Sequence, residues 1–146
     1  MKNLALSFFV ILTISACRQS NSTTGAVTTD IAGKTVSVKD APVIKFEKEL
    51  YDFGVITEGE KVHYDFKFKN TGKTPLIITD ASATCGCTKP EYPTKPVKPG
   101  EEGVIKVVFN SLGKAGIQDK VVTLTSNANP TSTNVHIVGE VREKKR

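Results

Sequence analysis

Two cysteines separated by a single glycine, Cys85-Gly86-Cys87, are the residues of this sequence with the most distinctive chemistry. In an extended chain residues i and i+2 point to the same side, so the two sulfurs can meet, and glycine between them lets the backbone tighten. Extended Cα atoms two positions apart lie near the upper limit of about 6.8 Å for a disulfide, so closure requires a local turn. Three chemistries fit the pair. The first is a static loop staple, which adds little stability because the loop it closes is so short. The second is a thiol–disulfide redox site, against which stands the lack of a nearby histidine or helix N-terminus; Lys89 is the only close cation. The third is a soft-metal site, in which two thiolates hold Cu(I); a closed zinc site needs four ligands. The only histidines, His63 and His136, read as surface residues of strands that need not adjoin.

The third cysteine, Cys17, stands apart and has its own reading. Lys2 supplies a positive start, and Leu4 to Ile14 is an apolar run interrupted only by Ser7 and Thr13. The run is shorter than the roughly 20 residues a transmembrane helix needs and has the length and flanks of a secretory h-region. It ends Ile14-Ser15-Ala16-Cys17, which resembles the bacterial lipobox. By that resemblance residues 1–16 are a lipoprotein signal peptide, the Cys17 thiol receives a diacylglycerol, and cleavage follows Ala16. The alternative is a plain signal peptide with a chance cysteine. Buried acyl chains contribute roughly 0.8 kcal/mol per methylene, so two or more make anchoring effectively permanent. Cleavage would also remove Met1, the single methionine, which disfavours a copper carrier. Arg18 follows the cysteine where an Asp would mark inner-membrane retention in some bacteria, so the expected address is the outer membrane facing the periplasm, with surface display as the alternative.

From Cys17 to residue 40 the chain is rich in Ser, Thr, Asn, Gly and Ala, without apolar periodicity. Such a composition buries too little surface to offset the entropy of ordering and predicts a tether with a reach of roughly 25–30 Å. Val36 and Val38 alternate and could instead add an edge strand. Residues 41–142 form the expected domain. Val62, Tyr64, Phe66 and Phe68 alternate with His63, Asp65, Lys67 and Lys69, the pattern of a half-buried strand. Val43–Phe46, Tyr51–Ile56, Leu76–Ala83, Val104–Phe109, Lys120–Thr125 and Val135–Val141 read as the other strands. Turn signals lie at Thr57–Glu60, Asn70–Lys73, Gly113–Gly116 and Asn127–Pro130, with a Pro-rich crossing from Pro90 to Gly100 between the halves. No segment keeps a helical period over two turns. The fold class predicted is all-β, an antiparallel immunoglobulin-like β-sandwich of about seven strands, with a small barrel as the alternative. With no tryptophan and no cysteine pair spaced to bridge two sheets, it is not of the antibody type. Residues 143–146 read as a basic, solvated tail.

A family resemblance rests on Tyr51–Ile56, Phe66–Gly72, Ala83-Thr84-Cys85-Gly86-Cys87-Thr88, Pro99-Gly100 and Thr125–Ala128, in that order. The set resembles a family of uncharacterised bacterial Ig-like lipoproteins, over about residues 43–141, whose fold looks related to the Hydin and major-sperm-protein type of module. The resemblance implies the fold and no activity.

The chain of 146 residues carries a net charge of +5, with its lysines scattered, which argues against nucleic acid as a partner. No Gly-x-Ser-x-Gly, His-Glu-x-x-His, phosphate loop or dinucleotide fingerprint occurs. The function expected is a non-catalytic binding or assembly module, with no cofactor. It is held at the membrane through its lipid and meets an envelope protein or a glycan. The alternative is thiol redox or copper handling through Cys85 and Cys87.

Overall fold

The computed structural model describes residues 40–145, together with the backbone of two short strands before them. Residues 1–16, Cys17 and most of the segment read as a tether lie outside the described residues. Within that segment β1 (Val27–Thr29) and β2 (Thr35–Ser37) pair antiparallel as a two-stranded sheet of their own, with Val27 opposite Ser37.

The rest is a two-sheet sandwich. Its strands are β3 (Ile44–Phe46), β4 (Leu50–Thr57), β5 (Lys61–Asn70), β6 (Ile78–Ala83), β7 (Thr88–Glu91), β8 (Glu102–Asn110), β9 (Gly116–Ser126) and β10 (Ser132–Arg142). One sheet runs β3-β5-β8-β7 and the other β4-β10-β9-β6. The all-β, immunoglobulin-like class read from the patterning is the class observed. The alternation in β5 does what its period of two requires: Val62, Phe66 and Phe68 are buried and Tyr64 half-buried, while His63, Asp65, Lys67 and Lys69 face water. Ile105, Val107 and Phe109 from the neighbouring β8, and Val122, Leu124, Val135, Ile137 and Val141 from β9 and β10 of the facing sheet, close the core. Aromatic contacts cross it, with Phe53 over Phe109 at 5.8 Å and Tyr51 stacked on Tyr64 at 3.8 Å.

Two details differ from the sequence reading. The sandwich has eight strands, because β7 forms where the chain enters the Pro-rich crossing. It is an edge strand paired only with β8, so Pro90, which lacks an N–H, is tolerated there. The pairing is also not wholly antiparallel: β4 runs parallel to β10, with a register shift beside Gly139. Patterning reports which residues face the core and is silent on which strand is the neighbour.

Polar side chains lock the loops onto this frame. Asn70 is fully buried at the end of β5. Its Nδ2 donates to the carbonyls of Thr74 (2.9 Å) and Val97 (3.0 Å), and its Oδ1 accepts from the N–H groups of Gly72 (3.0 Å) and Val43 (3.4 Å). Asn127 does the same for the start of β6, accepting from Ile77 N–H at 2.8 Å and donating to Pro75 O at 3.1 Å. At the opposite end of the sandwich, buried Ser111 donates to Glu60 O at 2.7 Å and accepts from Gly59 N–H at 3.0 Å. It thereby ties the β8–β9 loop to the β4–β5 turn. Ser111→Ala removes both bonds, while Glu60 O keeps the N–H of residue 111 and Gly59 is open to water, so stability is expected to fall by about 0.5–1.5 kcal/mol in urea unfolding, with no change in m-value.

Candidate functional site

The Cys85-Gly86-Cys87 segment forms the turn between β6 and β7, where the chain passes from the edge of one sheet to the edge of the other. Both flanks are fixed by backbone bonds. Thr84 N–H donates to Val121 O on β9 at 3.1 Å, and Asn110 N–H at the end of β8 donates to Cys87 O at 2.8 Å. Thr88 N–H closes the turn on Cys85 O at 3.1 Å. This is the local turn that the spacing demanded. It brings the Cα atoms to 5.2 Å, and the two cysteines are joined in a disulfide.

Cys87 packs against the core, and Cys85 is half-buried. The buried Thr88 hydroxyl sits 3.7 Å from Cys85 Sγ and 3.9 Å from Cys87 Sγ. Gly86 is exposed, and a methyl group added there would meet no atom within 4 Å. As a disulfide the pair offers no thiolate to a metal. What it can do chemically is exchange with an incoming thiolate. Because only three residues are closed into the ring, Cys85→Ser with Cys87→Ser is expected to cost no more than about 2 kcal/mol, read as a shift in the denaturation midpoint.

The histidines do not join the cysteines. His63 lies on the outer face of β5 and His136 on β10 of the other sheet, so the two imidazoles belong to opposite faces of the sandwich. His136 Nδ1 is 3.0 Å from Asp119 Oδ1, while His63 sits with Glu47, Lys48, Tyr64, Asp65 and Lys67 around an open depression. Tyr64 is stacked on Tyr51 there and makes a T-shaped contact with Phe66 at 4.7 Å. Among the described residues no three His, Cys, Asp or Glu side chains are gathered to hold a metal ion. Lys89 is exposed on the edge strand β7.

Four aliphatic side chains escaped the sequence reading: Leu50, Val55, Leu112 and Ile117 are 54, 52, 69 and 82% exposed. Ile117 falls in a Gly- and Lys-rich stretch that reads as a turn, and Val55 follows the glycine that interrupts β4. Neither therefore shows an alternation from which its facing could be read.

The model of a family described as protein of unknown function, DUF1573, matches residues 44–141, from the first residue of β3 almost to the end of β10. The chain belongs to this family. No curated protein matches it. Among solved structures, a protein of unknown function from Porphyromonas gingivalis superposes on the DUF1573 chain with a TM-score of 0.63 at 13% identity, over 72% of this chain and 49% of that one. An ASH/PapD-like domain of human CEP192 does so with a TM-score of 0.58 at 10% identity, over 81% and 96%. The secreted serine protease VesC from Vibrio cholerae gives 0.54 at 9%, over 67% and 23%. The DUF1573 chain thus spans about half of the Porphyromonas protein and about a quarter of VesC. At these identities the likeness is one of fold, PapD-like and immunoglobulin-like, and folds of this kind host many functions.

Proposed function

We propose that this protein is a non-catalytic binding or assembly module of the bacterial cell envelope, tethered to the membrane by a lipid on Cys17. An outer-membrane anchor facing the periplasm suits the residues around Cys17, and an envelope protein or a glycan suits the sandwich as partner. The observation that carries the reading is strand β4. It is eight residues long, pairs with β10 on one side only, and leaves Leu50 and Val55 more than half exposed. An edge that keeps aliphatic side chains and backbone polar groups in water is what a binding partner can cover, and isolated domains generally blunt such edges. Affinity capture from envelope extracts with the acylated chain tests the reading. Saturable retention of one protein or glycan, lost on competition with soluble domain, is the expected result. Retention of nothing above a chain with an unrelated sandwich domain would overturn it.

A second reading, thiol redox or soft-metal handling through Cys85 and Cys87, is favoured by one observation: the pair lies in a surface turn, with Cys85 only half-buried. Replacing both cysteines by serine separates the two. Unchanged retention of the partner and an unchanged cellular phenotype exclude the second reading and leave the first intact.

A further inference from the structure

The outer face of the β4-β10-β9 sheet carries an ordered set of side chains. The strand registers place Leu50, His136 and Val121 in one row, Asp52, Val138 and Asp119 in the next, and Val55, Glu140 and Ile117 in a third. Residues opposite one another in paired strands share a face. The alternating neighbours Tyr51, Phe53, Ile56, Ile137 and Val141 pack inward, so these nine project outward. Aliphatic side chains hold the four corners and the centre of the grid, and three carboxylates and an imidazole hold the midpoints. At the usual strand spacing the grid spans about 10 by 13 Å between Cα atoms.

Single exposed aliphatics are ordinary, but five on one face of three strands, with Leu50, Val55 and Ile117 more than half exposed and Val121 and Val138 partly so, are a recognition feature. Leaving a side chain such as Ile117 in water forgoes roughly 1.5–3 kcal/mol of burial that a partner would recover. The electrostatics select the partner. Although the chain is net positive at +5, these three rows carry three carboxylates and no lysine or arginine, with Arg142 standing in the next row opposite Thr57. Among the described residues Asp119 is met by His136, Glu140 by Arg142 Nε at 3.2 Å, and Asp52 by the Gly54 N–H at 2.8 Å. The outer face of the other sheet is different in kind, with Lys69 opposite Glu102, and Asp65 and Glu91 flanking Lys106.

We propose that the β4-β10-β9 face is a docking surface for a protein segment that combines aliphatic side chains with lysine or arginine. The proposal rests on the binding-module reading and names the chemistry of its partner. Aliphatic groups of the segment would fill the spaces between Leu50, Val138, Val55 and Ile117. Basic stems would lie along those same side chains and carry their charged heads to Asp52, Asp119 and Glu140. A second copy docked face to face would set carboxylates against carboxylates, and an anionic lipid surface would be repelled in the same way. The grid is smaller than the roughly 800 Å² per partner of a standard interface, so it forms the apolar centre of the contact, with a polar rim around it.

The test places a photo-reactive residue at Ile117 or, on the opposite sheet, at Lys106 of the full chain in the cells that make it. After irradiation the cross-linked species is sequenced by mass spectrometry. Expected is a cross-link from position 117 to a protein segment rich in Lys or Arg and in Val, Ile or Leu. Asp119→Lys combined with Glu140→Lys should lower its yield at least about fivefold, with circular dichroism unchanged. A cross-link from 117 to lipid, to a second copy, or to an acidic or uncharged segment overturns the proposal, as does a yield indifferent to the charge reversal. Cross-links from Lys106 alone, or from neither position, overturn this surface, and the binding-module reading then stands or falls on the affinity capture.

Discussion

Asn70→Asp is expected to destabilise the domain by about 3–5 kcal/mol at neutral pH, a large part of the 5–15 kcal/mol that holds a typical domain folded. Asn70 is fully buried, and its amide nitrogen points both of its hydrogens at carbonyl oxygens, those of Thr74 and Val97. The substitution keeps the oxygen that accepts from Gly72 and Val43 and turns the nitrogen into a second oxygen facing two acceptors. An ionised carboxylate there is desolvated and repelled. A protonated one can still donate to one of the two carbonyls. The introduced carboxyl therefore has its folded-state pKa raised above its unfolded value of about 3.9. With a raised acid pKa the native state binds more protons than the unfolded state, so stability falls as pH rises between the two values. Urea denaturation at pH 4 and pH 7.5, relative to the parent chain at each pH, should show a deficit that grows with pH. Asn70→Ala, which introduces no charge, should show a pH-independent deficit of about 1–3 kcal/mol. Equal deficits for Asn70→Asp at both pH values would mean that this amide is not what holds the turn.

Gly72→Ala is expected to cost about 3 kcal/mol or more, from one methyl group two residues further on. The added Cβ would lie 2.4 Å from Ala41 O, 2.5 Å from Pro42 Cα and 2.6 Å from Val43 N. All three are backbone atoms of the segment that leads into β3, so no rotamer change relieves the overlap. That segment is also pinned. Thr71 N–H donates to Val43 O at 2.9 Å, Thr74 Oγ1 donates to Asp40 O at 2.9 Å, and Ile44 pairs with Asn70. Relief requires moving β3 off β5, which uncovers the ring of Phe46 where it packs on Phe66 and Phe68. Gly86→Ala is the matched control, since nothing lies within 4 Å of its added methyl and the expected change is within about 0.5 kcal/mol. Thermal unfolding of the pair should show a large drop in Tm for the first and almost none for the second. Similar values for both would exclude the packing explanation.

These two residues also show how far the sequence could be read. Asn70-Thr71-Gly72 marked a turn by residue type alone, and the turn is there. What the sequence did not disclose is that the turn is a junction, with one asparagine side chain collecting Gly72 and Thr74, Val97, and Val43 from three separate stretches of chain. Hydrogen-bond partners 27 residues away leave no local trace. The cysteine pair was legible to a similar depth: the spacing required a turn for the sulfurs to meet, and that turn formed. The anchoring of the turn to Val121 and Asn110 is a tertiary fact. Strand β7 escaped notice because four residues containing a proline carry no usable period.

The sequence by itself determined the class of fold and the composition of the core. Period-two alternation in β5 and the short apolar runs around it oblige one face of each strand to leave water, and two such sheets can satisfy that only by packing together. It did so without specifying neighbours. The parallel pairing of β4 with β10, the meeting of β6 and β7 edges at the disulfide, and the gathering of Leu50, Val55, Val138, Val121 and Ile117 on one outer face were decided by the tertiary structure. The physical reason is the range of the interactions. Facing is set by each strand's own side chains against water, whereas the composition of a surface depends on the registers of three strands drawn from distant parts of the chain.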